Sequence, residues 1–141
     1  GVGTAPMLYW GKILKDNGYN PRFLLGGRKE SDLLELDEFR QIGEVFVSTE
    51  DGSAGEQGFV TVHSVMQSKI DKMYCCGPAP MMKAIAKIAA QKECECEVSL
   101  ENKMACGLGA CLCCVEDSKE GNVCVCTSGP VFNTKELKWE I

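Results

Sequence analysis

The first 92 residues alternate between two patterns of hydrophobic and polar positions. Short apolar runs bounded by turn residues predict three strands, at 22–25 (RFLL), 44–48 (EVFVS) and 72–76 (KMYCC). Apolar residues at helical spacing predict four helices, at 5–17, 31–40, 62–69 and 80–91. This alternation of strands and helices predicts an α/β fold, a parallel sheet with helices on both faces.

Local signals refine two of these helices. Ser31 is a plausible N-cap of the second helix, whose core face would hold Leu33, Leu34 and Phe39. His63, the only histidine, is expected on the surface of the third helix. The glycine-rich stretch 49–58 is expected to form turns.

The pattern changes near residue 93. Residues 93–97 (ECECE) alternate acidic and cysteine positions, as a half-exposed strand would, and helical periodicity ends after Glu101. Glycines and cysteines dominate from there to Gly129. We therefore expect two domains, 1–92 and 93–141, with the boundary within 92–99.

The chain also starts with a loop that normally follows a strand. In a doubly wound sheet the first glycine-rich loop comes directly after the first strand. Here that loop is 1–3 (GVG), at the start of the sequence. We therefore expect the preceding strand to belong to an earlier part of a longer protein.

Composition narrows the classes of function. The 141 residues are 45% hydrophobic and 25% charged, which is typical of globular proteins. The net charge of −5 argues against a nucleic-acid partner, because phosphate contacts need clustered Lys and Arg. Neither an apolar run of membrane-spanning length nor a signal-peptide pattern is visible, so we expect a cytoplasmic protein with no membrane contact.

The ten cysteines carry the strongest chemical signal. Cys106, Cys111 and Cys114 have the C-x4-C-x2-C spacing of plant-type [2Fe–2S] proteins, and Gly107 and Gly109 let the loop curl around a cluster. A fourth ligand must come from elsewhere, and Cys124 and Cys126 are the candidates. Cys126 is preferred because a turn, 127–130 (TSGP), follows it and can present it to the cluster.

The remaining cysteines allow simpler interpretations. Cys113 breaks the spacing and is expected to be a bystander, while Cys75, Cys94 and Cys96 lie in predicted strands and are expected to pack as small hydrophobic residues. A structural zinc site of four thiolates is the main alternative to a cluster. Such sites usually use two C-x2-C pairs, whereas this sequence has one such pair in its cysteine loop.

A second group of residues suggests a nucleotide site. The loop 1–6 (GVGTAP) opens a helix and could bind a diphosphate, although an ordinary turn is an equal alternative. Residues 76–78 (CGP), Asp51 and Arg28 follow predicted strands, where open α/β sheets bind ligands. We find no catalytic constellation of the Ser-His-Asp or paired-carboxylate kind.

These pieces together resemble a known family. The segments 1–6 (GVGTAP), 49–61 (TEDGSAGEQGFVT) and 76–82 (CGPAPMM) are similar to the nicotinamide-binding half of ferredoxin reductase-like flavoproteins. The segments 98–111 (VSLENKMACGLGAC) and 129–132 (GPVF) resemble the electron transfer subunits of NAD-dependent dihydroorotate dehydrogenases. The resemblance covers nearly the whole chain, and the cysteine stretch is its most specific part.

The resemblance implies a relay of electrons. NADH would reduce FAD, and electrons would pass through the [2Fe–2S] cluster to FMN in a separate dihydroorotate dehydrogenase catalytic subunit, in a hetero-oligomer of pyrimidine biosynthesis. The family's flavin-binding barrel would precede residue 1, so this chain alone would hold FAD poorly and is not expected to be active. A related subunit of an NAD(P)H:ferredoxin oxidoreductase or sulfide dehydrogenase, and a zinc-bound interaction module without redox function, are the alternatives.

The resemblance also assigns residues by position. Cys106, Cys111, Cys114 and Cys126 match the cluster ligands. Ser128 stands where the family often has Asp, next to the cluster but not as a ligand. The predicted cofactor-binding set is Gly1, Gly3, Thr4, Pro6, Arg28, Asp51, Cys76, Gly77, Pro78 and Met81.

Overall fold

A computed structural model describes residues 1–140 and divides the chain into two compact units, Gly1–Lys69 and the part from Ile70 onward. The first unit contains two α-helices and three strands. In chain order they are α1 (Thr4–Asp16), β1 (Arg22–Gly27), α2 (Leu36–Ile42), β2 (Glu44–Thr49) and β3 (Glu56–Gln57). The three strands form a parallel sheet in the order β1-β2-β3.

The core of the first unit lies between β1 and α2. Phe23, Leu25, Phe39 and Ile42 are buried together, with the rings of Phe23 and Phe39 in edge contact at 4.8 Å between centroids. Met7 and Leu8 of α1 pack against this cluster, as the helical pattern predicted. Alternating buried positions of β1 face the core because side chains of a strand alternate between its two faces.

The second predicted helix begins later than expected. Ser31 lies in a 3-10 turn, Glu30–Asp32, and α2 begins only at Leu36. Glu35, the residue before α2, has a left-handed backbone (φ 59°) with no side-chain cap. The chain therefore turns between the two helical segments, and this turn leaves Leu34 half exposed instead of in the core.

Residues 62–69, which the sequence predicts as the third helix, do not form an α-helix. Residues 60–67 form two 3-10 turns, Val60–Val62 and Ser64–Gln67. His63 lies between them and is 5% exposed, so its predicted surface position was wrong. Its Nδ1 accepts the backbone N–H of Val65 at 3.0 Å, and its ring meets the edge of Phe46 at 5.7 Å. These contacts explain how the fold accommodates a buried imidazole.

The second unit combines a mixed sheet with a separate hairpin. Its elements are β4 (Lys72–Cys76), α3 (Ala79–Gln91), β5 (Glu95–Ser99), β6 (Val115–Ser118), β7 (Gly121–Cys124), α4 (Val125–Ser128) and β8 (Val131–Asn133). Strands β4 and β5 are parallel, β8 pairs antiparallel with β5, and β6 and β7 form an antiparallel hairpin. The α/β class with parallel strands is thus confirmed.

The start of β5 differs from the prediction. The strand begins at Glu95, and Glu93 has a left-handed backbone (φ 55°) after α3. Cys94 therefore precedes the strand and is partly exposed, whereas Cys75 and Cys96 are buried in β4 and β5 as expected. Strand β5 pairs with β4 inside the second compact unit, and the predicted domains 1–92 and 93–141 stay a prediction.

One further property concerns membranes. Among residues 1–140, no helix has the length and apolar character needed to cross a bilayer.

Candidate functional site

The cysteine loop runs without regular structure from the end of β5 to β6. Gly107 (φ 68°) and Gly109 (φ 78°) both have left-handed backbones, which glycine adopts without steric cost. Leu112 (φ 58°) has the same conformation and is 64% exposed. Three left-handed residues within six positions explain how so short a loop turns its cysteines towards one another.

Backbone amides of the loop point at the sulfur of its first cysteine. The N–H groups of Leu108 and Cys111 donate to Sγ of Cys106, at 3.3 Å and 3.4 Å. Such N–H···S hydrogen bonds favour negative charge on sulfur, which is the state of a thiolate that binds a metal.

The third and fourth predicted ligands also meet. Cys114 ends the loop and is 1% exposed, and the backbone N–H of Cys126 donates to its Sγ at 3.5 Å. The thiol of Cys126 also donates a hydrogen bond to Sγ of Cys114. The carbonyl of Cys114 accepts the N–H of Val125 at 3.1 Å, which fastens the start of α4 beside the loop. The predicted ligands thus form two pairs, Cys106 with Cys111 and Cys114 with Cys126.

The electrostatics of these pairs favour thiolates. Hydrogen bonds from the backbone of Cys113 and then from the thiol of Cys106 lower the pKa of Cys111 to about 6. The backbone N–H of Cys126, followed by its thiol, lowers the pKa of Cys114. The same thiol hydrogen bond raises the pKa of Cys126, which is the donor of this pair. In the second pair the acceptor, Cys114, therefore ionises before the donor, Cys126.

Cys124 lies close to the predicted ligands, but its contacts favour the neutral thiol over the thiolate. Its Sγ is 3.8 Å from the carbonyl oxygen of Gly109, to which the thiol donates. Burial, followed by the nearby sulfur of Cys114, raises the pKa of Cys124. Cys113 is exposed, and its Sγ donates to the carbonyl oxygen of Cys111 at 3.8 Å.

The arrangement fits two irons better than one metal ion. All ten cysteines are free thiols, and within residues 1–140 no three His, Cys, Asp or Glu side chains converge as a single metal ion requires. A [2Fe–2S] cluster needs two thiolates at each iron and does not need four to meet at one point. The two pairs of cysteines therefore match the demands of such a cluster.

A polar network that no sequence pattern predicted supports the base of the loop. Nδ2 of Asn102 donates to Oε2 of Glu116 at 3.0 Å and lies 3.5 Å from the carbonyl oxygen of Cys114. The other carboxylate oxygen of Glu116 accepts Nε1–H of Trp139 at 3.0 Å. These residues are far apart in sequence and belong to no shared motif, so only the fold reveals the network.

The predicted nucleotide positions of the first unit form two groups. The backbone N–H of Asp51 donates to the carbonyl of Arg28 at 3.1 Å, so these two residues lie side by side at the end of the parallel strands. Oδ1 of Asp51 accepts the hydroxyl and the N–H of Ser53, and these hydrogen bonds lower the pKa of Asp51.

The other group lies at the start of α1, where Gly1 and Gly3 precede the helix and Thr4 and Pro6 are in its first turn. The N–H and the hydroxyl of Thr4 both donate to the carbonyl of Gly1, and Pro6 has no N–H to offer. Both donors of Thr4 are therefore used within the chain.

The predicted nucleotide positions of the second unit extend from Cys76, the last residue of β4, to Met81 in the first turn of α3. Met81 folds over Gly77 so closely that a Cβ there would overlap the Met81 methyl group. Sγ of Cys76 lies 3.9 Å from Oε1 of Glu101, and burial is the main reason that the pKa of this thiol is raised. Pro78 precedes the first residue of α3 and starts the helix there.

A surface cavity of the second unit lies away from these residues. Its volume is about 250 Å³, and its lining includes Cys94, Lys119, Thr134, Leu137 and Trp139. None of these belongs to the predicted site, and nothing in the cavity indicates a ligand.

Known proteins share both the sequence and the fold. Residues 101–138 match the family described as the iron-sulfur cluster binding domain of dihydroorotate dehydrogenase B. A protein of Caldanaerobacter subterraneus subsp. tengcongensis, named dihydroorotate dehydrogenase B (NAD(+)), electron transfer subunit, is 44% identical over 97% of this chain and 56% of its own length. A protein of the same name from Clostridium perfringens is 39% identical over 99% of this chain and 56% of its own length.

A solved structure supports the fold. It is described as an NADH-dependent reduced ferredoxin-NADP oxidoreductase studied for flavin-based electron bifurcation. It superimposes with a TM-score of 0.86 at 32% identity, over 99% of this chain and 51% of that chain. The chain spans about half the length of the curated relatives it matches. The chain is thus similar, over nearly its whole length, to about half of these electron transfer subunits of dihydroorotate dehydrogenase B, and residues 101–138 match the iron-sulfur cluster binding domain.

Proposed function

We propose that this chain is part of an oxidoreductase that takes electrons from NADH, by way of FAD and a [2Fe–2S] cluster, to the FMN of a dihydroorotate dehydrogenase catalytic subunit. The observation that carries the proposal is the pairing of Cys106 with Cys111 and of Cys114 with Cys126 in a segment, residues 101–138, that matches an iron–sulfur binding family. The similarity to electron transfer subunits of dihydroorotate dehydrogenase B supports the substrate and the pyrimidine pathway.

The residues of the loop would hold the cluster and adjust its charge. A [2Fe–2S] cluster exchanges single electrons, which suits transfer between two flavins. Each pair of cysteines would supply two thiolates to one iron. The amides of Leu108 and Cys111, directed at Sγ of Cys106, would stabilise the extra negative charge of the reduced state.

The surface around the loop suits a protein partner. Met104, Leu108 and Leu112 are exposed apolar side chains of the loop itself, with Leu108 exposed by 81%. Apolar side chains in such a cluster favour association with another protein. We assign this surface to the catalytic subunit, because electrons must leave the cluster over a short distance.

We propose nicotinamide-nucleotide contacts in each unit separately. In the first unit they are Arg28 and Asp51, and in the second unit Cys76, Gly77 and Met81. Gly1, Gly3, Thr4, Pro6 and Pro78 complete the proposed set. We further propose that FAD is held mainly outside this chain, and that the chain alone does not oxidise NADH.

The decisive experiment measures metal and colour. Protein purified or reconstituted without oxygen should be red-brown and contain about two iron and two sulfide per chain. Alanine at each of Cys106, Cys111 and Cys114 should abolish the visible absorption, whereas Cys113→Ala should keep it. A colourless protein with one bound zinc after anaerobic reconstitution would contradict the proposal.

A second candidate function is a subunit of a related NAD(P)H:ferredoxin oxidoreductase, which the solved neighbour favours. Both functions use the same cluster and differ in the acceptor. Rapid mixing of the reduced full-length subunit with a dihydroorotate dehydrogenase catalytic subunit or with ferredoxin separates them, because only the true acceptor should be reduced quickly.

A further inference from the structure

Two thiols compete for the position of the fourth ligand. Cys124 and Cys126 stand on either side of Val125, which is fully buried and whose N–H is bonded to the carbonyl of Cys114 at 3.1 Å. This backbone contact fastens the segment beside the loop independently of either cysteine side chain. Loss of one thiol therefore leaves the other in place.

Both thiols contact the same residue of the loop, but with opposite polarity. Gly109 acts on Cys126 as a backbone hydrogen-bond donor, whereas its carbonyl oxygen accepts from the thiol of Cys124 at 3.8 Å. A donor stabilises a thiolate, and a carbonyl oxygen repels one. The backbone N–H of Cys126 also donates to Sγ of Cys114 at 3.5 Å, so Cys126 lies directly beside a proposed ligand, while the thiol of Cys124 faces the carbonyl oxygen of Gly109.

We propose that Cys124 is a reserve ligand, which binds iron when Cys126 is unavailable. This inference rests on the proposed function, because it assumes a cluster held by Cys106, Cys111 and Cys114. In the exchange the Cys124 thiol loses its proton to solvent, and its sulfur forms the bond to iron that Cys126 would otherwise make. No electron is transferred, and the interactions lost are the weak S–H···O contact with Gly109 and the hydrogen bond from the Cys124 thiol to Cys114.

The predicted behaviour differs for the two single variants. Cys124→Ala should match the wild type in iron content and spectra, because the reserve ligand is not used. Cys126→Ala should keep iron within about twofold of the wild type, with shifted visible absorption and electron paramagnetic resonance, because the hydrogen bonds around the new ligand differ. The double variant should lose the cluster.

The test uses the full-length subunit, reconstituted without oxygen, with iron, sulfide and both spectra measured for all three variants. Circular dichroism of the metal-free proteins shows whether each variant folds. Cys113→Ala, combined with Cys126→Ala, serves as the control, since Cys113 is exposed and should not replace a ligand.

The remaining outcomes distinguish a failure of the reserve-ligand proposal from a failure of the proposed cluster site. Complete loss of the cluster in folded Cys126→Ala would overturn the reserve function and leave the four proposed ligands intact. A cluster that is retained in the variant with both Cys124→Ala and Cys126→Ala would also overturn the reserve function. Loss in Cys124→Ala with an unchanged spectrum in Cys126→Ala would instead show that the fourth ligand was assigned wrongly. Retention in Cys106→Ala would contradict the proposed cluster site itself.

Discussion

The amide of Asn102 and the carboxylate of Glu116 are joined by a hydrogen bond of 3.0 Å, which links the beginning of the cysteine loop to the strand that follows it. Glu116 is held on its other side by Trp139. The loop is otherwise irregular, so this contact is one of the few that fix its two ends together.

Asn102→Ala should therefore loosen the loop. It removes a partly buried hydrogen bond to a charged group, and we expect the free energy of unfolding to fall by about 1–2 kcal/mol. Iron should also leave faster in the presence of a chelator. Asn122→Ala, at an exposed position of the hairpin, is the matched control. Equal rates of iron release for the two variants would contradict the proposed contribution of Asn102.

The backbone at Gly109 gives a second prediction. A β-branched residue is strongly disfavoured at φ 78°, whereas asparagine tolerates a left-handed backbone. Gly109→Val should displace the backbone that contacts Cys124 and Cys126 and lower the iron content after reconstitution severalfold. Gly109→Asn should retain most of it. If both variants bind iron equally, the left-handed conformation does not matter for the site.

Alkaline pH should destabilise the second unit. Burial raises the pKa of Cys75 to about 12 and that of Cys96 to about 11, from an ordinary value of 9.0. Since the unfolded chain loses these protons first, the stability that they provide is complete below about pH 9 and is lost as the pH rises towards the folded values. Each thiol contributes a slope of up to about 1.4 kcal/mol per pH unit in this range.

Urea unfolding of the metal-free protein between pH 8 and pH 10.5 measures this slope. Cys75→Ala lowers the stability at every pH because it leaves a cavity, but it should also make the dependence on pH shallower. The slope is the informative quantity, and an unchanged slope would show that Cys75 does not titrate with unfolding.

The packing of α1 on β1 gives a fourth prediction. A Cβ at Gly11 would lie 2.5 Å from Cζ of Phe23, closer than two carbon atoms can approach. Gly11→Ala should therefore destabilise the first unit by about 1–3 kcal/mol, despite the better helix propensity of alanine.

A compensating change distinguishes this overlap from an effect on the helix alone. Phe23→Leu shortens the side chain, so Gly11→Ala should cost less in that background. Thermal or urea unfolding of both single variants and of the double variant measures the coupling. Simple additivity of the two effects would rule out the overlap as the cause.

Local sequence signals failed where tertiary contacts overrode them. The periodicity of 62–69 predicted a helix with His63 on its surface, but the chain forms two 3-10 turns that bury His63 against Phe46. Ser31 had the chemistry of an N-cap, yet α2 starts at Leu36 after a left-handed turn at Glu35. Neither the contacts of the imidazole nor the turn can be read from neighbouring residues.

The sequence by itself determined which chemistry the chain carries. The spacing of the predicted cluster ligands is a local property of the chain. Cys106, Cys111 and Cys114 lie within nine residues, and the glycines between them indicate that the loop must curl. The hydrogen-bond partners of the Cys124 and Cys126 thiols come only from the tertiary structure. Both residues lie equally near in sequence, and only the fold brings the donor of Gly109 to one thiol and its carbonyl to the other. Hydrogen-bond polarity depends on three-dimensional placement, so no spacing of cysteines could have settled it.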